Sequence, residues 1–406
     1  MLLNKSCLLL VLLLIGCSPQ SKTADQLKKV VSPLDASLNL GMEVVALKTG
    51  KIIYSHNANR YFVPASSEKL LTALAALAEL GQEFRFKTEI LEDSQNNLHI
   101  HFGGDPVLTQ GDLFNIFKEL KIKFPNKVFN NIQVDLNDRK LESIMPGWMV
   151  GDTLACYGAP VNRAILNRNC SFDKDQVLVA VQAPKLRAFI QKNLRAAIRF
   201  NRISFKGKLA ILSADKQLPV LEKNLLLSHQ SPALYVLLYE GLKDSDNLIM
   251  EAIFMHLVEP YVDENTHWRE RGEPIKKILA QYYGVDLAKA MIIDGSGLTR
   301  YNLITAHQFT EILASAYQKK QLRPELLSLL PIAGVDGSLA ARMQSGKAKG
   351  NIRAKTGSMT GIISLVGFLE TSRGEPLAFS ILMNNYVDSA DRYRDLQDRL
   401  CEIMAE

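Results

Sequence analysis

The hydrophobic pattern sorts the chain into strand pairs near both ends with helices between them. Residues 42–55, MEVVALKTGKIIYS, set two apolar runs around Lys48-Thr49-Gly50-Lys51 and predict a pair of strands turning at the glycine. Residues 84–102, FRFKTEILEDSQNNLHIHF, alternate apolar and polar positions on both sides of a polar turn, which predicts a second hairpin. Between them, residues 61–80, YFVPASSEKLLTALAALAEL, read as a helix that is apolar almost all round from Leu70 onward. A helix of that kind wants burial on every side. Pro64, Ser66 and Ser67 suit its N-terminus, yet Lys69 places an ammonium one turn in.

Further along, the chain to about residue 230 mixes short strands with one basic helix near 185–200. Residues 231–257, SPALYVLLYEGLKDSDNLIMEAIFMHL, predict two helices separated by a polar break at 244–247. The last third adds a helix near 306–317 and two or three long strands within 350–386, joined at 372–375. A terminal helix follows, with Tyr393, Leu396, Leu400, Ile403 and Met404 along one face. Strands at both ends with helices between them imply one α/β core that is discontinuous in sequence. The expected division is 27–80 with 231–406 for the core and 81–230 for an inserted domain. No internal repeat or low-complexity block interrupts this pattern.

Composition adds little. Of 406 residues, 47% are hydrophobic and 22% charged, ordinary globular values that allow two or three domains. The net charge of +6 is scattered, with no run dense enough for a nucleic-acid groove; a weak preference for anionic lipid or a carboxylate-rich polymer fits it better. The first residues change the picture more. Lys5 precedes an apolar run over 8–15, too short to span a bilayer but suited to the core of a secretory signal. Leu14-Ile15-Gly16-Cys17 resembles the lipobox of bacterial lipoproteins, which implies a signal peptide over 1–16, cleavage before Cys17 and lipid on that cysteine. Ser18, rather than Asp, resembles the signal for sorting to the outer membrane. The reading is export to the periplasm on a lipid anchor, with polar, aperiodic residues 17–26 as a tether. In that oxidising compartment Cys156 and Cys170 can pair, closing a loop worth about 3 kcal/mol in the chain-entropy model. Cys401 lies next to the apolar stripe of the terminal helix and is expected to be a shielded thiol.

Ser66 and Lys69 stand one turn apart on one helix face. At a helix N-terminus the dipole favours a developing alkoxide and disfavours a nearby ammonium. Burial also lowers a lysine pKa, so Lys69 can act as the base that activates Ser66. The pattern alone is weak, because Ser171–Lys174 and Ser213–Lys216 match it in polar surroundings; Ser66–Lys69 is the pair that heads a buried helix. Ser245-Asp246-Asn247 falls at the break between helices, where a second hydroxyl and an amide can face a cleft. Lys355-Thr356-Gly357 opens a strand whose glycine allows close approach to the backbone. Each triplet has decoys, at Ser37–Asn39, Ser94–Asn96 and Lys48–Gly50. Their joint occurrence, in order and in fitting contexts, points to one site.

PASSEK, FGGDPVL, PGWMVGD, NRNC, SDN, DGSGLTRYN, GVDGSL and KTGSMTG resemble, in this order, the serine D-alanyl-D-alanine carboxypeptidases/endopeptidases of the penicillin-binding protein 4 type. The resemblance runs from about Met42 to the C-terminus. It implies an α/β transpeptidase core like that of serine DD-peptidases and β-lactamases, an antiparallel sheet flanked by helices, with a mostly β insert. It also implies no cofactor or metal, peptidoglycan stem peptides and cross-links as substrate, and β-lactams as covalent inhibitors. Ser66 becomes the acylated nucleophile and Lys69 its base; Ser245 relays a proton toward the leaving amine, while Asn247 holds the peptide and Lys69. Lys355 supplies positive field for the substrate carboxylate, with Thr356 as a hydrogen-bond partner beside Gly357. The backbone N–H groups of Ser66 and Ser358 form the oxyanion hole. Asp152 and Tyr157 match positions that receive the free amine of a diamino acid, although Asp152 also suits a solvated loop. Arg300 and Ser338 match other substrate-side positions.

Two departures stand out. Thr360 occupies a place where the family usually has glutamine, which shortens or removes one substrate contact. The stretch between Ser66 and Ser245 is also short, so the family's third domain is expected to be absent or reduced. His99 and His101 alternate on one strand without a third ligand nearby and read as solvated strand residues, not a metal site. Trp148 and Trp268 read as packing residues. Two rivals to the peptidase remain: a β-lactamase on the same fold, and a non-catalytic peptidoglycan-binding lipoprotein. Residues alone do not rank carboxypeptidase against endopeptidase action, nor do they give the oligomeric state.

Overall fold

The computed structural model describes residues 19–35, 37–136, 143–211, 223–263 and 265–406. The signal segment, Cys17 and the Ser213–Lys216 decoy lie outside the described residues.

The chain enters through helix α1 (Pro19–Val31), followed by antiparallel strands β1 (Asn39–Ala46) and β2 (Ile52–His56). Residues 19–26, expected to belong to a tether, are therefore helical. Polar letters hid the reason: Leu27, Val30 and Val31 pack with Leu400, Cys401 and Met404 of the last helix, so tertiary burial fixes α1. Helix α2 (Lys69–Glu79) begins only at Lys69. Ahead of it, Tyr61–Phe62 is a short strand and Ala65–Glu68 a 3-10 turn, so the helix read over 61–80 is shorter and enters through a tighter turn.

The inserted part contains β3 (Lys87–Asp93), β4 (Leu98–Phe102), α3 (Gln110–Lys123), β5 (Ile132–Asp135), α4 (Ala183–Phe200), β6 (Leu209–Ile211) and β7 (Lys223–Gln230). Its five strands form one sheet in the order β6-β5-β4-β3-β7. The predicted hairpin is β3–β4, paired Thr88 with Phe102 through Glu92 with Leu98. Helix α3 carries a full capping box from Thr109 and Asp112, and its Leu113, Ile116, Phe117 and Leu120 pack with Ile190 and Leu194 of α4 over the sheet. His99 corrects the solvated reading. It is buried, with Nε2 2.8 Å from Asp93 Oδ2, because the turn carboxylate folds back over the strand.

The chain then returns through α5 (Leu234–Lys243), α6 (Asn247–Val258), α7 (Glu273–Tyr283), α8 (Ala306–Gln318) and α9 (Leu322–Leu329). It ends in β8 (Arg353–Met359), β9 (Ile362–Glu370), β10 (Pro376–Asn384) and α10 (Ala390–Ala405). The second five-stranded sheet runs β8-β9-β10-β1-β2, antiparallel throughout, so both ends of the chain meet in it. Leu377, Phe379, Ile381 and Met383 face α1 and α10, whereas Ala378 and Leu382 face the helical layer of α2 and α5–α9. Burial on both faces explains why these strands are continuously apolar rather than alternating. The fold is an α/β core with a central sheet flanked by helices and a β-rich insert. No helix among the described residues is long and apolar enough to cross a membrane.

Cys156 and Cys170 form a disulfide. Cys401 is fully buried, as expected, and burial pushes its thiol well up. Phe379 is also fully buried, at the centre of the sheet. Phe379→Ala is expected to cost about 3–5 kcal/mol in a urea titration; an unchanged midpoint would contradict a close-packed sheet centre.

Candidate active site

Three segments far apart in sequence converge at the edge of the sheet. The first is the 3-10 turn carrying Ser66. Ala65, just before it, adopts φ +47°, a conformation that costs an alanine roughly 1–3 kcal/mol and survives only where the surroundings impose it. They do so here. Ser67 Oγ lies 2.8 Å from Ser364 Oγ, and Ser364 Oγ donates to Pro64 O at 2.6 Å. Strand β8 lies directly against the turn. A Cβ on Gly357 would come within 2.7 Å of Pro64 O and 3.0 Å of Ser66 N, so only glycine lets the strand approach so closely.

The second segment is the break between α5 and α6. Asp246 caps α6 by accepting from Ile249 N at 3.0 Å and pairs with Arg168. Lys243, at the end of α5, pairs with Asp336 at 2.6 Å and ties the break to the loop carrying Ser338. Ser245 sits between these anchors at φ +60°, a second non-glycine residue in the left-handed region. The third segment is residues 294–299, wrapped around Asp294. This buried carboxylate accepts from Gly297 N, Thr299 N, Asn302 Nδ2 and Trp148 Nε1 at 2.7–2.9 Å. Trp148 is therefore more than packing: it joins the insert to this loop.

Lys69 is the hub. Its side chain is fully buried, and Nζ lies 2.9 Å from Ser66 Oγ, 2.7 Å from Asn247 Oδ1 and 2.7 Å from Ser296 O. The two carbonyl oxygens can only accept. A neutral amine satisfies both with its two protons and turns its lone pair to the Ser66 hydroxyl. Burial drives the pKa of Lys69 down to about 8, against the pull of Asp294, Glu251, Asp246 and Glu68. Asn247 is oriented in turn, because its Nδ2 donates to Tyr157 O at 3.1 Å.

Lys355 is also fully buried. Its Nζ donates to Ser245 Oγ at 2.9 Å and to Thr356 O at 3.0 Å, and Thr356 Oγ1 lies 2.7 Å from Ser338 Oγ. Burial, and then the charge of Lys69, hold its pKa well below the ordinary lysine range. Ser358 and Thr360 are exposed along the rim; Arg300 donates to Thr360 O at 3.3 Å and Arg394 to Ser358 Oγ at 3.4 Å. Asp152 and Tyr157 lie on adjoining turns of one loop, Tyr157 donating at 2.9 Å to Asp152 Oδ1, a bond that raises the phenol pKa. Ser66, Lys69 and Asn247 form one hydrogen-bonded set and Ser245, Lys355, Thr356 and Ser338 a second, brought side by side where Ser67 Oγ donates to Lys355 O at 3.4 Å. Asp152 joins the first through Tyr157, whereas Arg300 reaches only the Thr360 rim.

Sequence reasoning missed the buried carboxyls. Glu251 accepts from Ser296 N at 2.8 Å and Gly295 N at 3.2 Å, fixing the carbonyl that holds Lys69; burial and Asp294 push its pKa up to about 8. Glu68 is fully buried with neither oxygen hydrogen-bonded, and burial raises its pKa well above the carboxylate range. The available signal was a lone acid in the otherwise apolar NLIMEAIFMHLV helix.

A serine hydroxyl within 2.9 Å of a buried lysine amine, on an antiparallel sheet flanked by helices, is the arrangement of the active-serine peptidases of the DD-peptidase class. The model of the D-Ala-D-Ala carboxypeptidase 3 (S13) family matches residues 24–174 and 170–406, and the chain belongs to that family. It is similar to the D-alanyl-D-alanine carboxypeptidase DacB of Haemophilus influenzae, 26% identical with 86% of each chain covered. It is also similar to the D-alanyl-D-alanine carboxypeptidase of Actinomadura sp. strain R39, 26% identical over 98% of this chain and 89% of the other. The crystal structure of penicillin binding protein 4 from Haemophilus influenzae superposes with a TM-score of 0.78, 25% identity, and 94% and 98% coverage.

Because an amine loses its proton as pH rises, the base-competent fraction of Lys69 grows through about pH 8. Acylation of Ser66 by a penicillin should rise about tenfold per pH unit below that point and level off above it. A stopped-flow profile flat from acid to neutral pH would contradict a neutral base.

Proposed function

We propose that the chain hydrolyses D-Ala-D-Ala termini and cross-links of peptidoglycan peptides through an acyl-enzyme on Ser66. The observation that carries this reading is the Lys69 amine, buried among two carbonyl acceptors and the Ser66 hydroxyl. Ser66 Oγ attacks the penultimate D-Ala carbonyl as its proton passes to Lys69. The tetrahedral oxyanion is held by the N–H groups of Ser66 and Ser358, each worth about a hundred- to a thousandfold in rate. Ser245 hands a proton to the leaving amine, and water then releases the acyl group. Lys355, with Thr356 and Ser338, receives the substrate carboxylate. An arriving anion offsets the burial that disfavours the Lys355 ammonium, so binding is coupled to proton uptake there.

Release of D-Ala makes this a carboxypeptidase, and release of a cross-linking diamino acid makes it an endopeptidase; both use the same groups. Asp152, held by Tyr157, pairs with the free ammonium of the diamino acid. Thr360 leaves that side of the cleft one contact short. Residues 27–80 with 231–406 form the catalytic domain and 81–230 the insert, with the family's third domain reduced or absent. Lipidation of Cys17 places the enzyme in the periplasm, at the outer membrane; the LIGC lipobox supports this.

Fluorescent penicillin should label the purified protein covalently and leave Ser66→Ala unlabelled. No label on the unmodified protein would favour a peptidoglycan-binding scaffold, and rapid turnover of the drug a β-lactamase. Asp152→Asn should raise KM about fivefold for peptides with a free diamino acid amine and leave the N-acetylated peptide unchanged, since an exposed ion pair contributes about 1 kcal/mol. Equal effects on both peptides would remove Asp152 from recognition.

A further inference from the structure

The insert carries a second recessed surface that the reaction does not use. From residue 176 to 214 the sequence has eight Lys and Arg and no Asp or Glu, whereas the chain as a whole has 48 against 42. The net +6 of the protein is therefore concentrated in this segment. Lys192, Arg195 and Arg199 fall at i, i+3 and i+7 of α4, so they share one face and span about 10 Å. The opposite face of α4, with Ile190 and Leu194, is buried in the core of the insert.

A solvated basic face on a helix would be ordinary by itself. Here the face is one wall of a groove of about 890 Å³, with Lys208 on the far wall and Phe205 and Leu209 in its lining. Among the described residues none of these four cations has a carboxylate within ion-pair distance. Several cations elsewhere do have such a partner, among them Lys127 with Glu92, Arg163 with Glu259 and Arg342 with Asp398. Cations on two walls of a concavity, with no described carboxylate between them, repel one another and are relieved by an anion there.

We propose that this groove binds a second, non-reacting carboxylate-bearing strand of peptidoglycan, holding the polymer while another strand is cleaved at Ser66. The identity of the occupant rests on the functional reading above. A row of cations about 10 Å long with an opposing cation suits an elongated polyanion better than a single ion. Its concavity suits a chain rather than a flat bilayer, which would meet only the rims. The groove is also tied to the substrate side of the site: Gln182, the residue capping α4, donates at 3.0 Å to Thr153 O, next to Asp152.

The test uses the full chain with Lys192, Arg195 and Arg199 all changed to Glu, or all to Gln should the Glu protein fail to fold. Penicillin labelling and D-Ala release from a small soluble peptide should match the unmodified protein. Co-sedimentation with isolated sacculi, in a Ser66→Ala background, should fall at least about tenfold, and the unmodified groove should lose its binding as salt is raised. D-Ala release from sacculi should fall with it. Equal sacculus binding by variant and parent overturns the proposal. So does loss of binding to phosphatidylglycerol vesicles with sacculus binding intact, which would make the groove a lipid site. Failure of the functional reading looks different: neither protein would label or cleave soluble peptide, whatever the sacculi report.

Discussion

Taking an amine wholly out of water is unfavourable for its charged form, and most of the site is arranged around that one constraint. Lys69 heads α2, an apolar helix packed into the middle of the helical layer, and its side chain is fully buried. The nitrogen is left with two carbonyl acceptors and one hydroxyl, which is what a neutral amine can satisfy. Each acceptor is held from a different direction. The Ser296 carbonyl is set by a peptide whose N–H groups Glu251 clamps, and the Asn247 amide is set by the Tyr157 carbonyl from the insert. Once the proton is lost, the lone pair is left to face Ser66, because the other two neighbours of the nitrogen can only accept.

The second constraint is distance between backbones. Strand β8 can place Lys355 near Ser245 only if it lies against the turn that carries Ser66, and a side chain at 357 would prevent this. The same crowding appears on the opposite side, where a Cβ on Gly297 would sit 1.9 Å from Ala65 O. With glycine approaches from both sides, Ala65 has little choice of conformation, and its left-handed φ follows from the packing. Ser245 is forced in the same way, between the Asp246 cap of α6 and the Lys243–Asp336 pair. The Ser66 and Ser245 hydroxyls thus sit beside or on residues whose unfavourable dihedrals are imposed by neighbours.

Much of this was legible in the sequence, for physical reasons. An all-apolar helix headed by Ser-x-x-Lys is a contradiction in burial, and such contradictions mark sites. The hairpin alternation of 84–102 and the apolar strands of 350–386 report their own burial directly. What escaped depends on tertiary partners. Residues 19–26 look polar and aperiodic because only the last turns of α1 meet α10. His99 looked solvated because nothing local reveals that Asp93 closes over it. Glu68 stands beside Lys69 with no pattern of its own, and Glu251 is a lone acid in an apolar helix; their burial becomes apparent only once 294–299 lies across them. Tyr61–Phe62 reads as part of a helix until its strand partner Ile304–Thr305 is known.

The two buried lysines then make sense as a pair rather than as two separate residues. Each disfavours a charge on the other, and in the empty site burial acts against both. A carboxylate entering beside Thr356 and Ser338 acts mainly on one of them. It favours the proton of Lys355, and the ammonium so placed opposes a proton on Lys69, offset in part by the pull of the carboxylate itself. On the proposed mechanism, recognition of the substrate terminus and preparation of the base are one electrostatic event. The nearby carboxyls oppose this only as far as they are ionised, and the burial of Glu68 and Glu251 works against that ionisation. A ligand with no carboxylate would leave Lys355 without its counter-charge and Lys69 less strongly biased toward the neutral form that the reaction requires.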